Sequence, residues 1–244
     1  MSFLISAFNA VLYQPLFNVL VLLYNYIPGN DFGIAIIILT IFIRILFYSL
    51  NTKSIKSQKA LSDIQPKIKE IQEKYKQDKE KQTKELMELY KKEKINPFSG
   101  CLPLLIQFPV IIALYRVFWG GLDPNKLQLL YGFVSSPGAI NSVFLGFLDL
   151  AKPNIALAVL VGISQFFQIR IISKKPKTGK KQNKGFAEEM QKQMQYFMPV
   201  FMVLILWKLP SALGLYFLVT TLFTIVQQYI IVKKNYEPGK LREN

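Results

Sequence analysis

FGIAIIILTIFIRILFYSL, residues 32–50, decides how this chain is read. Nineteen residues of helix rise about 28 Å, close to the hydrocarbon thickness of a bilayer, and the one charge among them is Arg44. A guanidinium stays protonated at any ordinary pH, so inside a membrane it needs water or polar protein walls. No Asp, Glu or His lies in this run or in the other long apolar runs, 98–119, 153–172, 195–207 and 211–232. The sequence therefore predicts a wet, positively charged recess within a membrane.

Composition agrees. With 51% hydrophobic residues and a mean hydropathy of +0.26, the 244-residue chain is expected to be an all-α integral membrane protein built on five transmembrane helices. The expected spans are 32–52, 97–119, 153–172, 195–208 and 211–232; the fourth is short for a full crossing. The chain holds 30 basic against 15 acidic residues. Basic side chains crowded beside apolar runs report membrane orientation, with RNA contact as the second reading. There is no histidine, and Cys101 is the single cysteine. Disulfide frameworks, thiolate or imidazole metal clusters and every His-base mechanism are thereby excluded, so neither cofactor, metal nor enzymatic chemistry is expected.

The lysines set the expected orientation. Residues 53–95 carry 13 Lys and 8 acids, 173–192 carry 7 Lys and 2 acids, and the tail from 233 carries 4 basic residues and 2 acids, together 24 of the 30 basic residues. The alternate loops, 1–31, 120–152 and 208–210, hold only Lys126, Lys152 and Lys208. By the positive-inside rule the first loop is outside and the C-terminus cytoplasmic. Within 53–96, Ile64, Ile68, Ile71 and Tyr75, then Leu86, Leu89 and Tyr90, recur at helical spacing around a break at Gln77-Asp78. This predicts a cytoplasmic hairpin of two amphipathic helices, restarted at Pro66. Asn96-Pro97 is a cap and first-turn pair for the second span. The segment 173–194 opens on an aperiodic basic run, read as a loop, and 233–244 as a basic tail.

The N-terminal apolar segment, within 1–31, lacks a basic n-region, a cleavage site and a lipidation cysteine, so it is expected to stay on the mature chain. Gln14, Asn18 and Asn25 share a face after Pro15, as expected of an amphipathic helix lying in the outer interface. A sixth span is the competing reading.

Thr40, Arg44, Tyr48 and Asn51 follow one another at helical spacing and fall on one face of the first span. Other spans offer walls: Gln107 on the second, Gln165 and Gln168 on the third, and Tyr216, Thr220, Thr224 and Gln227 on the fifth. Each alone reads as a helix–helix hydrogen bond; their coincidence with an intramembrane arginine points to a shared groove. Met190, Met194, Met198 and Met202 recur every four residues. Methionine packs adaptably, so this stripe is either a contact surface for varied apolar segments or core filler.

The string QPKIKEIQEKYKQDKEKQTKELMELYKKEKINPFSGCLPLLIQFPVIIALY, residues 65–115, resembles the YidC/Oxa/Alb3 family of membrane protein insertases, as do the Arg-bearing first span, the third span and the ending WKLPSALGLYFLVTTLFTIVQQYII. The resemblance implies a five-span core around a hydrophilic groove open to cytoplasm and lipid and closed outside. It implies that Arg44 lies in that groove and attracts acidic residues of the incoming segment, with Thr40, Gln165 and Trp207 at or near lining positions. The implied function is energy-independent insertion of nascent hydrophobic segments and their short polar flanks into the bilayer of the bacterial cell membrane, with chaperone activity. Implied partners are nascent membrane proteins and lipid, with the Sec translocon and, through the basic loop and tail, the ribosome as further candidates; DNA is not among them. A small transporter or channel is the alternative, disfavoured because Asp31, Asp123 and Asp149 sit at the outer ends of the spans and no internal repeat is visible.

Overall fold

A computed structural model describes residues 2–96, 102–120, 128–138, 140–172 and 186–234. Its elements are α1 (Ser2–Phe8), a π-helical turn (Asn9–Tyr13), α2 (Gln14–Tyr26), α3 (Phe32–Leu46), α4 (Tyr48–Asp63), α5 (Gln65–Lys74), α6 (Lys79–Lys92), α7 (Leu102–Gly120), a two-stranded antiparallel hairpin of β1 (Val143–Phe144) and β2 (Leu148–Asp149), α8 (Ile155–Ile172), α9 (Phe186–Leu206) and α10 (Ser211–Lys234). Among the described residues, three stretches are long and apolar enough to cross a membrane: Phe3–Tyr26, Ile155–Ile172 and Ser211–Val232. The pair α3 and α4 makes a fourth if its two bent halves count as one span, and the apolar helices Gln107–Phe118 and Gln195–Leu206 are shorter.

Within the expected span 32–52 the helix is broken in two. α3 and α4 meet at Phe47 with a bend of 69°. No proline or glycine causes it. After Phe47 the sequence turns polar at Ser49, Asn51, Thr52 and Lys53, so continuing straight would hold those groups along the apolar axis. α10 fixes the new direction: Gln227 Nε2 donates to the Tyr48 carbonyl (3.0 Å) and to Thr52 Oγ1 (2.9 Å).

The restart at Pro66 is observed, with the proline in the first turn of α5 where its missing N–H costs nothing. The break at Gln77-Asp78 is observed too, Asp78 capping α6 through Lys81 N–H (3.0 Å). α5 and α6 lie against each other through Lys67–Glu93 (2.6 Å) and Gln82 Nε2 to the Gln72 carbonyl (2.9 Å). α6 has no buried residue, so this hairpin is held mostly by exposed polar contacts, each contributing little. Pro97 of the Asn96-Pro97 pair, the basic stretch 173–185 and the tail 235–244 lie outside the described residues.

At the other end the core is dense. Phe17, Leu20, Val21 and Tyr24 of α2 pack with Phe32, Ala35 and Ile36 of α3 and with Leu114, Val117 and Phe118 of α7. The polar stripe of the N-terminal helix meets backbone rather than solvent: Gln14 and Asn18 donate to the Leu129 carbonyl (3.1 and 3.0 Å), Asn18 Oδ1 accepts from Tyr131 N–H (2.6 Å), and Asn25 donates to the Ser135 carbonyl (2.7 Å). The stretch 129–135 is thus tied to α2 at Gln14, Asn18 and Asn25.

α8 and α9 approach closely at Gly162, where an added Cβ would lie 2.5 Å from Val203 Cγ2 and 3.2 Å from the Pro199 carbonyl oxygen. Small residues allow such approach between apolar helices, where packing replaces the hydrophobic drive. Gly162→Leu is expected to lower stability by about 1–3 kcal/mol, the usual cost of overpacking. Thermal unfolding of the detergent-purified variant should show it; an unchanged midpoint would mean that the two helices separate freely.

Asp149, outside the helices, has its carboxyl held below the usual carboxylate range, first by the Ser142 hydroxyl (2.8 Å) and then by Lys152 (3.0 Å) and Ala151 N–H. A depressed folded-state pKa contributes stability above the unfolded value that is lost as pH falls through the folded one. Normalised hydrogen-exchange protection of 142–152 should accordingly fall on acidification below the usual carboxylate range, and be flat with pH in Asp149→Asn.

Candidate functional site

Below that dense end, the helices part around a cavity of about 300 Å³, room for roughly ten waters at their liquid volume. α3 contributes Arg44, α4 contributes Asn51, Ile55 and Gln58, α7 contributes Gln107, α8 contributes Gln165 and Gln168, and α10 contributes Phe217, Thr220, Thr221, Thr224 and Gln228. Apart from Arg44, every polar lining residue is a neutral amide or hydroxyl. The bend at Phe47 contributes to this shape, since it lets Asn51, Ile55 and Gln58 of α4 line the same cavity as Arg44 of α3.

Arg44 is half-buried and, among the described residues, has no acidic partner. Its Nη2 donates to Gln107 Oε1 (3.2 Å), and Gln107 Nε2 donates in turn to the Tyr216 hydroxyl. Because a guanidinium only donates, the amide orientation of Gln107 is determined by its neighbour. Gln228 is 1% exposed and its Oε1 is buried without a protein partner. Buried carbonyl oxygens of this kind are normally satisfied by water or a ligand. Chemically, then, the cavity offers one fixed positive charge inside a wall of hydrogen-bonding groups of both kinds. No cluster of three metal-ligating side chains occurs among the described residues.

Of the residues singled out in the sequence, Arg44, Asn51, Gln107, Gln165, Gln168, Thr220 and Thr224 line one cavity. Tyr216 is buried behind it, joined through Gln107. Thr40 does not reach it: the residue is buried and its hydroxyl donates to the Ile36 carbonyl of its own helix (2.6 Å). Tyr48 lies past the bend, and its role is the carbonyl that Gln227 holds. Trp207, at the far end of α9, is 53% exposed and outside the lining. Met198 is exposed, while Met202 packs against the hydrophobic core; the side chains of Met190 and Met194 lie outside the described residues. Sequence reasoning missed Thr221, Gln228 and Gln58. Thr221 and Gln228 each stand one residue beyond a member of the expected stripe, Thr220 and Gln227, and Gln58 stands two turns beyond Asn51, within the stretch read as the start of the hairpin.

Comparison with protein families matches residues 22–238 to the family described as 60Kd inner membrane protein. The chain is 36% identical over 221 residues to a protein of Wigglesworthia glossinidia brevipalpis named membrane protein insertase YidC, an alignment covering 90% of this chain and 36% of that one. A protein of the same name from Francisella tularensis subsp. novicida (strain U112) is 36% identical over 204 residues, 84% of this chain and 33% of the relative. The chain spans about a third of the length of these curated relatives.

Proposed function

The chain belongs to the 60Kd inner membrane protein family, and from that premise we propose that it is a membrane insertase whose Arg44 cavity receives the polar flank of a client. The observation that carries this reading is a cation that, among the described residues, has no acidic partner and shares its cavity with neutral amides and hydroxyls. A hydrophobic segment gains several kcal/mol on reaching lipid, while its polar flank is costly to move through hydrocarbon. A hydrated recess shortens that crossing. The client's own apolar surface then drives it sideways into lipid, with no nucleotide or covalent step.

In this reading five apolar helices form the core, α4 to α6 face the cytoplasm with the C-terminus, and the loop 128–152 is outside. α1 and α2 lie on the outer side, because the contacts of Gln14, Asn18 and Asn25 all fall on that loop. Nascent membrane proteins are the substrates and lipid the acceptor. Sec translocon contact, and ribosome contact through the basic segments after 172 and 232, are further parts of the proposal, as is a chaperone role.

Purified full-length protein in liposomes tests it. Insertion of a short single-span client, scored by protease protection, should rise well above protein-free vesicles without any nucleotide. Solute uptake with no gain in client insertion would make a small transporter or channel the better reading.

A further inference from the structure

We propose that the tip of the β1–β2 hairpin is an anchor that inserts Leu145 and Phe147 into the bilayer interface at the 128–152 end of the molecule. The first observation is backbone strain. Phe147 N–H closes a tight turn on the Phe144 carbonyl (3.2 Å), and the two central residues, Leu145 and Gly146, both take positive φ, +49° and +80°. Turns of this hand favour Asn, Asp or Gly, whose φ reaches the left-handed region at little cost. Leucine at the first position is disfavoured by its Cβ. Its side chain does not recover that cost inside the fold, being 58% exposed, and Phe147 beside it is 77% exposed.

The tip is also rigidly placed. Asp31 caps α3 with Oδ1 on Ile34 N–H (3.0 Å) and holds Leu145 N–H with Oδ2 (2.7 Å). The Phe144 ring lies over Gly33, where any Cβ would collide with it. One carboxylate therefore fixes the tip at the level where the apolar run beginning at Phe32 starts, which in the proposed arrangement is the hydrocarbon boundary.

Lipid is the occupant that fits. Residues 127–148 contain no charged side chain, an unusual composition for a 22-residue connection facing water. Two further exposed aromatic rings, Tyr26 and Phe133, flank the same α2–α3 turn, Phe133 lying two residues from the Ser135 carbonyl that Asn25 holds. Aromatic side chains concentrate at this depth, where an apolar body meets hydrated headgroups. Below them the exposed side chains of α3, Ile38, Ile41, Phe42 and Ile45, continue the apolar surface into the hydrocarbon. A strained turn held in place by Asp31, with its own side chain left exposed, is the kind of outlier from which a functional role is inferred.

The test uses the full chain carrying Cys101→Ser and Phe147→Cys, labelled with a nitroxide and placed in nanodiscs of phosphatidylcholine and phosphatidylglycerol. Collisions with oxygen should exceed those with a nickel chelate, as for a lipid-facing label at Phe42→Cys and opposite to a water-facing label at Lys84→Cys. Adding Leu145→Asn should shift the Phe147 label toward water while slowing hydrogen exchange at its amide, since asparagine relaxes the turn. A purely structural turn residue would not move the two readouts in opposite senses. Nickel-dominated collisions at Phe147, no shift with Leu145→Asn, or dipolar broadening between labels on two copies would overturn the proposal.

Discussion

Arg44→Ala is expected to lower insertion of clients with acidic translocated flanks by about tenfold or more, and to leave clients with neutral flanks near the original rate. Two unit charges 4 Å apart attract by about 4 kcal/mol at the effective dielectric of a partly hydrated protein site and by about 1 kcal/mol in bulk water. A third of the larger figure, realised in the rate-limiting step, already gives about tenfold. Arg44→Lys keeps the charge and should keep most of the activity, losing part of it because an ammonium cannot reproduce the planar geometry toward Gln107. Folding is not expected to suffer, since Gln107 Oε1 faces a cavity large enough to hydrate it. The measurement is protease protection of paired clients that differ only in flank charge, in liposomes and at two salt concentrations. Equal loss for both clients would assign Arg44 a packing role, and no loss for either would remove charge attraction from the mechanism.

How much of this was legible follows from which features are local. Helical spacing and a charge that cannot be neutralised were enough to bring Arg44, Asn51, Gln107, Gln165, Gln168, Thr220 and Thr224 to one cavity. The bend at Phe47 was not legible, because it depends on Gln227, 179 residues after the carbonyl it holds, and on no proline or glycine. That bend also bears on which residues line the cavity: Tyr48, just past it, is not among them, and Gln58 is. Thr40 read as a groove residue by its spacing, yet its hydroxyl is satisfied within α3, as threonines in apolar helices commonly are. The hairpin at 143–149 was invisible for a related reason. Its turn lacks the Asn-Gly or Asp-Gly signal that marks such loops, and what holds it is Asp31, far away in sequence.

Gln107 is the position where a single atom's change should matter most. As a neutral acceptor it orients the guanidinium (3.2 Å) without neutralising it, while its amide nitrogen occupies Tyr216. Gln107→Glu keeps the shape and supplies a carboxylate in the same place, so Arg44 gains a charge-assisted, potentially bidentate partner. The variant should fold at least as well as the parent and yet fall to the level of Arg44→Ala with acidic-flank clients, because the attraction is then satisfied internally. Gln107→Leu should behave differently. It strips the Gln107 amide from the hydroxyl of Tyr216, a residue 1% exposed, and a buried polar group that loses its partner costs about 1–3 kcal/mol of stability, while Arg44 Nη2 faces the cavity and can be hydrated there. The exchange Arg44→Gln with Gln107→Arg moves the charge from α3 to α7 inside the same cavity and should restore a large part of acidic-client insertion. Thermal unfolding and paired-client insertion separate the cases. A Gln107→Glu protein that inserts acidic-flank clients at the parental rate would mean the guanidinium serves the fold and not the client, since a neutralised charge cannot be what the client reads.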